Sequence, residues 1–431
     1  MKKVTATILI ILCIVCILSV FAGCENVDET KENKKILYPH AVGYVNSANA
    51  DDGYATLYIP DNSEGKILLL ADPQLDVTEK YRIVGSENRL TLLLVEKLIV
   101  ATNPDFVIIA GDIAMSGYLT NWELFCNIAD IIESKNIPWS FTFGNHDSEN
   151  GFFNESATTE SAFGQITKPN LIELVQEKYE HCLVNSSDCE SGYGNHFINI
   201  RNTKGELLTS ICNLDCVYEG ESGYSHVIDA KQTAWYAKNI RFLSEQNAGN
   251  FSSLVVTHVA LPEMFIGWKE AFEGGAPNEN YHYGNLLDGD YSKYASDTDF
   301  FSTIKSLGST KAVFFGHHHS NDASISYEGI DLTFIQHSGM SHEYRTTHKG
   351  TYGVMSGWPK DAIFDFTQID TYGDYRGGTM VTVNSNGGFT YAPVYAKDVI
   401  SDYKDWAIDY DKVANSISET RGESAVIRAN K

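Results

Sequence analysis

The chain has 431 residues, enough to bury a large core, and carries 32 Lys and Arg against 56 Asp and Glu for a formal charge of -24. So acidic a balance disfavours a general binder of nucleic acid or of anionic membrane surfaces, because no basic stripe is available to neutralise many phosphates. An anionic substrate would then have to be met by cations bound locally.

Met1-Lys2-Lys3 forms a short positive region, and an almost unbroken apolar run from 4 to 22 leads into Phe21-Ala22-Gly23-Cys24. Small residues before a Cys at the end of such a run look like a lipoprotein signal in which Cys24 is acylated and becomes the mature N-terminus. The alternative is an uncleaved membrane anchor, since the run is long enough to span a bilayer. Both place the remainder outside the cytoplasm, and the first expects a protein lipid-anchored to the cell membrane of a bacterium. The expected organisation is a signal peptide over 1–23, a polar tether over 24–63, one large α/β domain over 64–397 and a polar tail over 398–431.

Within that domain, apolar runs ending in polar residues alternate with helical patterns. ILLLADPQ delivers Asp72, a helix is expected from 86 to 100, and FVIIAGDI delivers Asp112. A second helix, WELFCNIADIIES, leads through a turn at Lys135-Asn136-Ile137-Pro138 into WSFTF and then Gly144-Asn145-His146-Asp147. Strand, helix, strand predicts right-handed crossovers and parallel strands. Residues 148–190 read as an inserted loop and helix. GNHFINIRN and LLTSICNLDC flank Thr203-Lys204-Gly205 as a hairpin. The helix AKQTAWYAKNIRFLSEQ precedes LVVTH, which ends in His258, and AVFFGHHH ends in His317-His318-His319. Residues 263–300 show no clear period and read as a long loop bordering the site. Short strands recur between 330 and 397, and no internal repeat is present. Of the cysteines after Cys24, Cys182 with Cys189 and Cys212 with Cys216 are candidate local bridges. ICNLDC reads as a strand, though, so Cys212 and Cys216 would not bridge without distortion, and a structural role is expected of all of them.

Five strand ends supplying carboxylates, imidazoles and one amide suit phosphoester hydrolysis by two divalent cations. Such a pair activates a bridging hydroxide as nucleophile and clamps the phosphate. Two cations that close require a shared anion, for which Asp112 is the candidate; Asp72 would bind one cation and His258 the other. His317 and His319 would bind different cations, and Asn145 would offer a neutral oxygen. His146 is then free to act as general acid, and Asp147 could orient it or raise its pKa. His318 alternates away from its neighbours and is expected behind them or at the surface. His337, His342, His348, Tyr344 and Arg345 would face substrate or lie in a solvated loop. Asp215 and Trp235 are read as structural.

The series resembles the calcineurin-like metallophosphoesterase superfamily, whose blocks are D-x-H, G-D, G-N-H-[DE], a strand ending in H, and G-H-x-H. The resemblance covers about residues 64 to 340. GHHHSND, and ICNLDC followed by Gln232 and Trp235, look most like the small purple-acid-phosphatase-like branch of plants and fungi. It implies a four-layer α/β/β/α sandwich with loop insertions, the cations at the strand ends, and the roles just given. Two departures stand out. Gln74 occupies the place of the usual His ligand and offers an amide oxygen, or else water replaces it; the ligation reading favours Mn²⁺ over Zn²⁺, with Mg²⁺ and iron as further options. Met115 stands where the purple enzymes carry an iron-binding Tyr, so no purple colour is expected. The expected substrate is a phosphorylated small molecule or an envelope-derived phosphoester. A competing expectation is a cell-surface binding lipoprotein on a catalytically degraded scaffold.

Overall fold

The computed structural model describes residues 36–37, 43–75, 85–114, 121–147, 168–215, 217–219, 225–249, 251–286, 299–340 and 376–403. The chain divides into Met1–Ile36 and Leu37–Lys431, and the second unit holds the two main sheets with their helices.

The smaller sheet has the order Phe389–Tyr395, Gly377–Asn384, Glu64–Leu70, Phe106–Ala110, Trp139–Thr142. Its last three strands are parallel, as the helices Gly85–Thr102 and Asn121–Glu133 between them require. Gly377–Asn384 joins antiparallel to Glu64–Leu70. The larger sheet runs through Gly43–Val45, Ala55–Ile59, His196–Asn202, Leu207–Leu214, Ser252–Thr257, Thr310–Phe315, Ile330–Phe334, Ser324–Tyr327 and Tyr281–Tyr283. Leu207–Leu214, Ser252–Thr257 and Thr310–Phe315 are mutually parallel neighbours.

Alternation along the strands sorts their side chains into three apolar layers. Ile67, Leu69, Phe106 and Ile108 pack with Ile198, Ile211, Leu254, Val256 and Phe314 between the sheets. Their neighbours Leu68, Leu70, Val107 and Ile109 face outward onto Leu94, Leu98, Ile128, Ile132 and Leu171 of the helices. On the other side Cys212, Val255, Val313 and Phe315 pack on Tyr236, Ile240, Met264 and Ile304. A period of two that is apolar on both faces means strands buried on both faces. Three apolar layers therefore separate four structural ones, the expected α/β/β/α sandwich. The sheets are also tied by polar contacts: Thr142 Oγ1 donates to the Leu214 carbonyl at 2.6 Å.

The structure departs from the expected organisation at several points. The stretch 24–63 contains Gly43–Val45 and Ala55–Ile59 of the larger sheet, and Ala55–Ile59 lies between Gly43–Val45 and His196–Asn202; strands this short, set among turn residues, share the composition of loops. The domain also runs past 397, since Ile400 and Tyr403 are buried in the outer helical layer. Residues 263–300 include the helix Pro262–Ala271, begun by Pro at its first position, and the strand Tyr281–Tyr283. The inserted helix spans Lys168–Lys178; the chain then turns extended, and Leu183 N donates to the Trp139 carbonyl at 2.7 Å, covering a sheet edge. The cysteines Cys126, Cys182, Cys189 and Cys212 are free, so no Cys182–Cys189 bridge forms. Cys24, Met115, Cys216, His342, Tyr344, Arg345 and His348 lie outside the described residues.

Candidate metal centre

Parallel strands end on one edge, and that edge gathers the polar residues that follow them. Asp72, Asp112 and Asn145 come from the smaller sheet, His258, His317 and His319 from the larger. Asp72, Gln74, Asp112 and His317 have φ of 56°, 44°, 50° and 71°. Non-glycine residues avoid this left-handed region, at a cost of about 1–3 kcal/mol each. Surrounding bonds hold them there: Gln74 N donates to the Asp112 carbonyl at 2.9 Å, and Gly316 N to the His258 carbonyl at 2.9 Å. Gly316 is required by proximity, because a Cβ would sit 2.7 Å from Asp72 Oδ2.

The donors form two groups. Asp112, His258 and His317 can converge on one cation, and Asp72, Asp112 and His319 on another, each group's atoms lying within 4.8 Å of one another. Asp112 belongs to both. Asn145 Oδ1 lies 2.7 Å from His317 Nδ1 and 3.1 Å from His258 Nε2. His258 Nδ1 is 2.7 Å from the Ala110 carbonyl, which only accepts, so that nitrogen carries the proton. In a neutral imidazole Nε2 then presents a lone pair to Asp112 Oδ2 at 3.0 Å and to the Asn145 oxygen. Three acceptors facing one another fit a cation between them. On the other side His319 Nε2 is 3.3 Å from Asp72 Oδ1. Gln74 Nε2 donates to Asp112 Oδ2 at 3.3 Å, while its buried Oε1 makes no hydrogen bond, which suits an oxygen donor awaiting a hard cation.

Electrostatics follow from this crowding. Burial opposes ionisation of Asp112, but His258 and His146 outweigh it and hold the carboxyl far below the usual range. Burial first, then repulsion from His258, lowers His317 to about 3. Asp147 differs from its expected role. Its Oδ2 accepts from the backbone N–H of Asp112 and of Gly144, each at 2.8 Å, so it braces the two loops instead of reaching His146. The turn after the strand folds Asp147 back on residue 144, a local bond no strand pattern announces. Burial and the Asp112 charge push its carboxyl up to about 7.

His146 lies at the rim. Its N–H donates to Asp112 Oδ1 at 2.8 Å, and its ring, 20% exposed, has Nε2 4.0 Å from Asp112 Oδ2. His318 points away from the donors and is buried against Phe265 and Phe334. His337 is not in a solvated loop: it is buried and stacked on His319, near enough to Arg376 to feel its charge. Arg376, buried and donating from Nε to the Gly339 carbonyl at 2.9 Å, carried no signal in the sequence because nothing around it has a period or motif. Asp215 is structural as expected, paired with buried Lys168 at 2.7 Å, and Trp235 packs on Phe197.

Residues 65–321, more than half of the chain, match the calcineurin-like phosphoesterase family. The chain belongs to that family. Among its curated relatives are three Arabidopsis thaliana proteins. One, named "Probable inactive purple acid phosphatase 29", is 26% identical over 300 residues, spanning 63% of this chain and 71% of that protein. Those named 14 and 28 are 25% and 22% identical, covering 58% and 63% of this chain and 62% and 69% of theirs. Similar solved structures include a dimetal phosphatase from Danio rerio, 11% identical with a TM-score of 0.41 over 64% of this chain and 88% of that one. Another is the sulfate thiohydrolase SoxB from Thermus thermophilus, 8% identical with a TM-score of 0.35 over 81% and 61%.

Proposed function

We propose that this chain is an exported, lipid-tethered hydrolase of phosphomonoesters or phosphodiesters that works with two divalent cations. The observation that carries this reading is Asp112, a fully buried carboxylate shared by both donor groups. One cation would be held by Asp112, Asn145, His258 and His317, the other by Asp72, Gln74, Asp112 and His319. When bound, the pair supplies a water nucleophile at neutral pH and neutralises the phosphoryl oxygens.

The chain's own residues supply the remainder. Ala110 fixes the His258 tautomer, and Asp147 holds the Asp112 and Gly144 loops in register. His146, tethered by its backbone to Asp112 yet partly exposed, can deliver a proton to the leaving oxygen of a phosphoester at the rim. Replacing His146→Ala is expected to keep the metal content and lower kcat by about 10²–10⁴-fold; loss of metal in that variant contradicts the division of roles. The amide of Gln74 is a hard donor, which tilts the preference toward Mn²⁺ or Mg²⁺ over Zn²⁺. A competition titration in which Zn²⁺ displaces Mn²⁺ from both sites counts against this preference.

The charge of -24 argues for a substrate with few phosphates, either a phosphorylated small molecule or an envelope-derived phosphoester, over nucleic acid. Membrane attachment is assigned to Cys24. Among the described residues no helix is long and apolar enough to cross a membrane. Cys24→Ala should move the protein from the membrane to the soluble fraction; unchanged fractionation contradicts the tether. A second reading is a surface binding lipoprotein on an inactive scaffold, favoured by Gln74 and by the names of the plant relatives. Tight phosphate binding without turnover in Mn²⁺ selects that reading.

A further inference from the structure

We propose that His337 is a positioning residue for the Asp72–His319 half of the centre, fixing the His319 ring by face-to-face stacking. This rests on the two-cation reading above. The rings of His319 and His337 lie 4.2 Å apart and 19° from parallel. Two other imidazole pairs of the site meet on edge, His258 with His317 at 73° and His317 with His318 at 80°. A flat neighbour at van der Waals distance stops the His319 ring from turning, which keeps its Nε2 on Asp72 Oδ1 at 3.3 Å.

The stacking partner is itself immobilised. His337 bridges Ala71 in parallel, next to Asp72, and its carbonyl accepts from Gly377 N at 2.9 Å. Ser338 N donates to the Ala71 carbonyl at 2.8 Å, and Ser338 Oγ to the Gly377 carbonyl at 2.7 Å. Gly339 leaves the ring its room, because a Cβ there would come within 2.8 Å of His337 Nε2. Ring orientation matters most in this half of the centre. Gln74 contributes an amide oxygen there in place of an imidazole, so His319 is the strongest neutral donor the Asp72 cation has.

The test is calorimetric titration of Mn²⁺ into the full chain and its His337→Phe, His337→Leu and His337→Ala variants, with folding checked by circular dichroism. Wild type should bind two equivalents. Phe, which keeps a flat face, should hold both affinities within about 3-fold, whereas Leu and Ala should weaken one site by about 10–100-fold and spare the other. If Ala does not fold, Leu and Phe, which are close in volume, decide the question. Leu binding both cations as tightly as wild type overturns the proposal, as does loss at both sites alike. Equal weakening by Phe and Leu also overturns it, since His337 would then act through its nitrogens. A wild-type chain that takes up no metal overturns the two-cation reading itself, an outcome distinct from all of these.

Discussion

Gly144 has no room for a side chain, since a Cβ there would collide with the Asp112 carboxylate. Gly144→Ala should therefore displace Asp112, destabilise the fold by about 1–3 kcal/mol and weaken both metal sites together; thermal melts and Mn²⁺ titration check this, and unaltered binding contradicts it. His196 makes a different prediction. It is buried with Nδ1 2.7 Å from the Gly194 carbonyl and Nε2 2.6 Å from Ser140 Oγ, and burial lowers it from about 6.5 to about 4. The unfolded chain takes up the proton first as pH falls. Stability contributed by neutral His196 is thus full above about pH 6.5 and lost on descent to about pH 4, by up to about 3 kcal/mol. Urea unfolding of wild type and His196→Gln at pH 7 and pH 4.5 should show the gap between them shrink; a constant gap refutes the assignment. At this scale the sequence was informative about donors. Asp72, Asp112, Asn145, His258, His317 and His319 each follow an apolar run, and the fold brings all six together. What it hid was conformation: the left-handed backbone of Asp72, Gln74, Asp112 and His317, and the turn that makes Asp147 a brace, depend on contacts with other strands.

The element most exposed to test is the inserted helix Lys168–Lys178. Its first residue, Lys168, is buried and donates to both oxygens of Asp215, at 2.7 and 2.9 Å, at the end of Leu207–Leu214. Lys168 also lies over the Phe143 ring, 5.1 Å from its centroid, two residues before Asn145. Lys168→Met should cost about 3–5 kcal/mol by removing the charge that faces Asp215, and adding Asp215→Leu should recover part of it. A double-mutant cycle by denaturant unfolding measures this, and additive losses contradict a coupled pair. The alternating strands and helices between 64 and 142 were legible because each apolar run is long and its period clear. The strands at 43–45 and 55–59 were not, since runs of only three and five residues set among turn residues look like a loop. Pro262–Ala271 escaped notice for a related reason: Gly267 interrupts its apolar face, packing so closely on Ile325 that no side chain fits there.

Across the whole molecule, the centre lies where the two sheets meet. The smaller sheet brings Asp72, Asp112 and Asn145, and the larger brings His258, His317 and His319. Neither donor group comes from one sheet alone, and Asp112 is the residue the two groups share. The most direct test is metal stoichiometry of the purified chain after Mn²⁺ loading, compared with Asp112→Ala, His258→Ala and His319→Ala. Wild type should hold two equivalents and each histidine variant one, with both lost in Asp112→Ala. Two equivalents retained by Asp112→Ala would contradict a carboxylate shared by both cations.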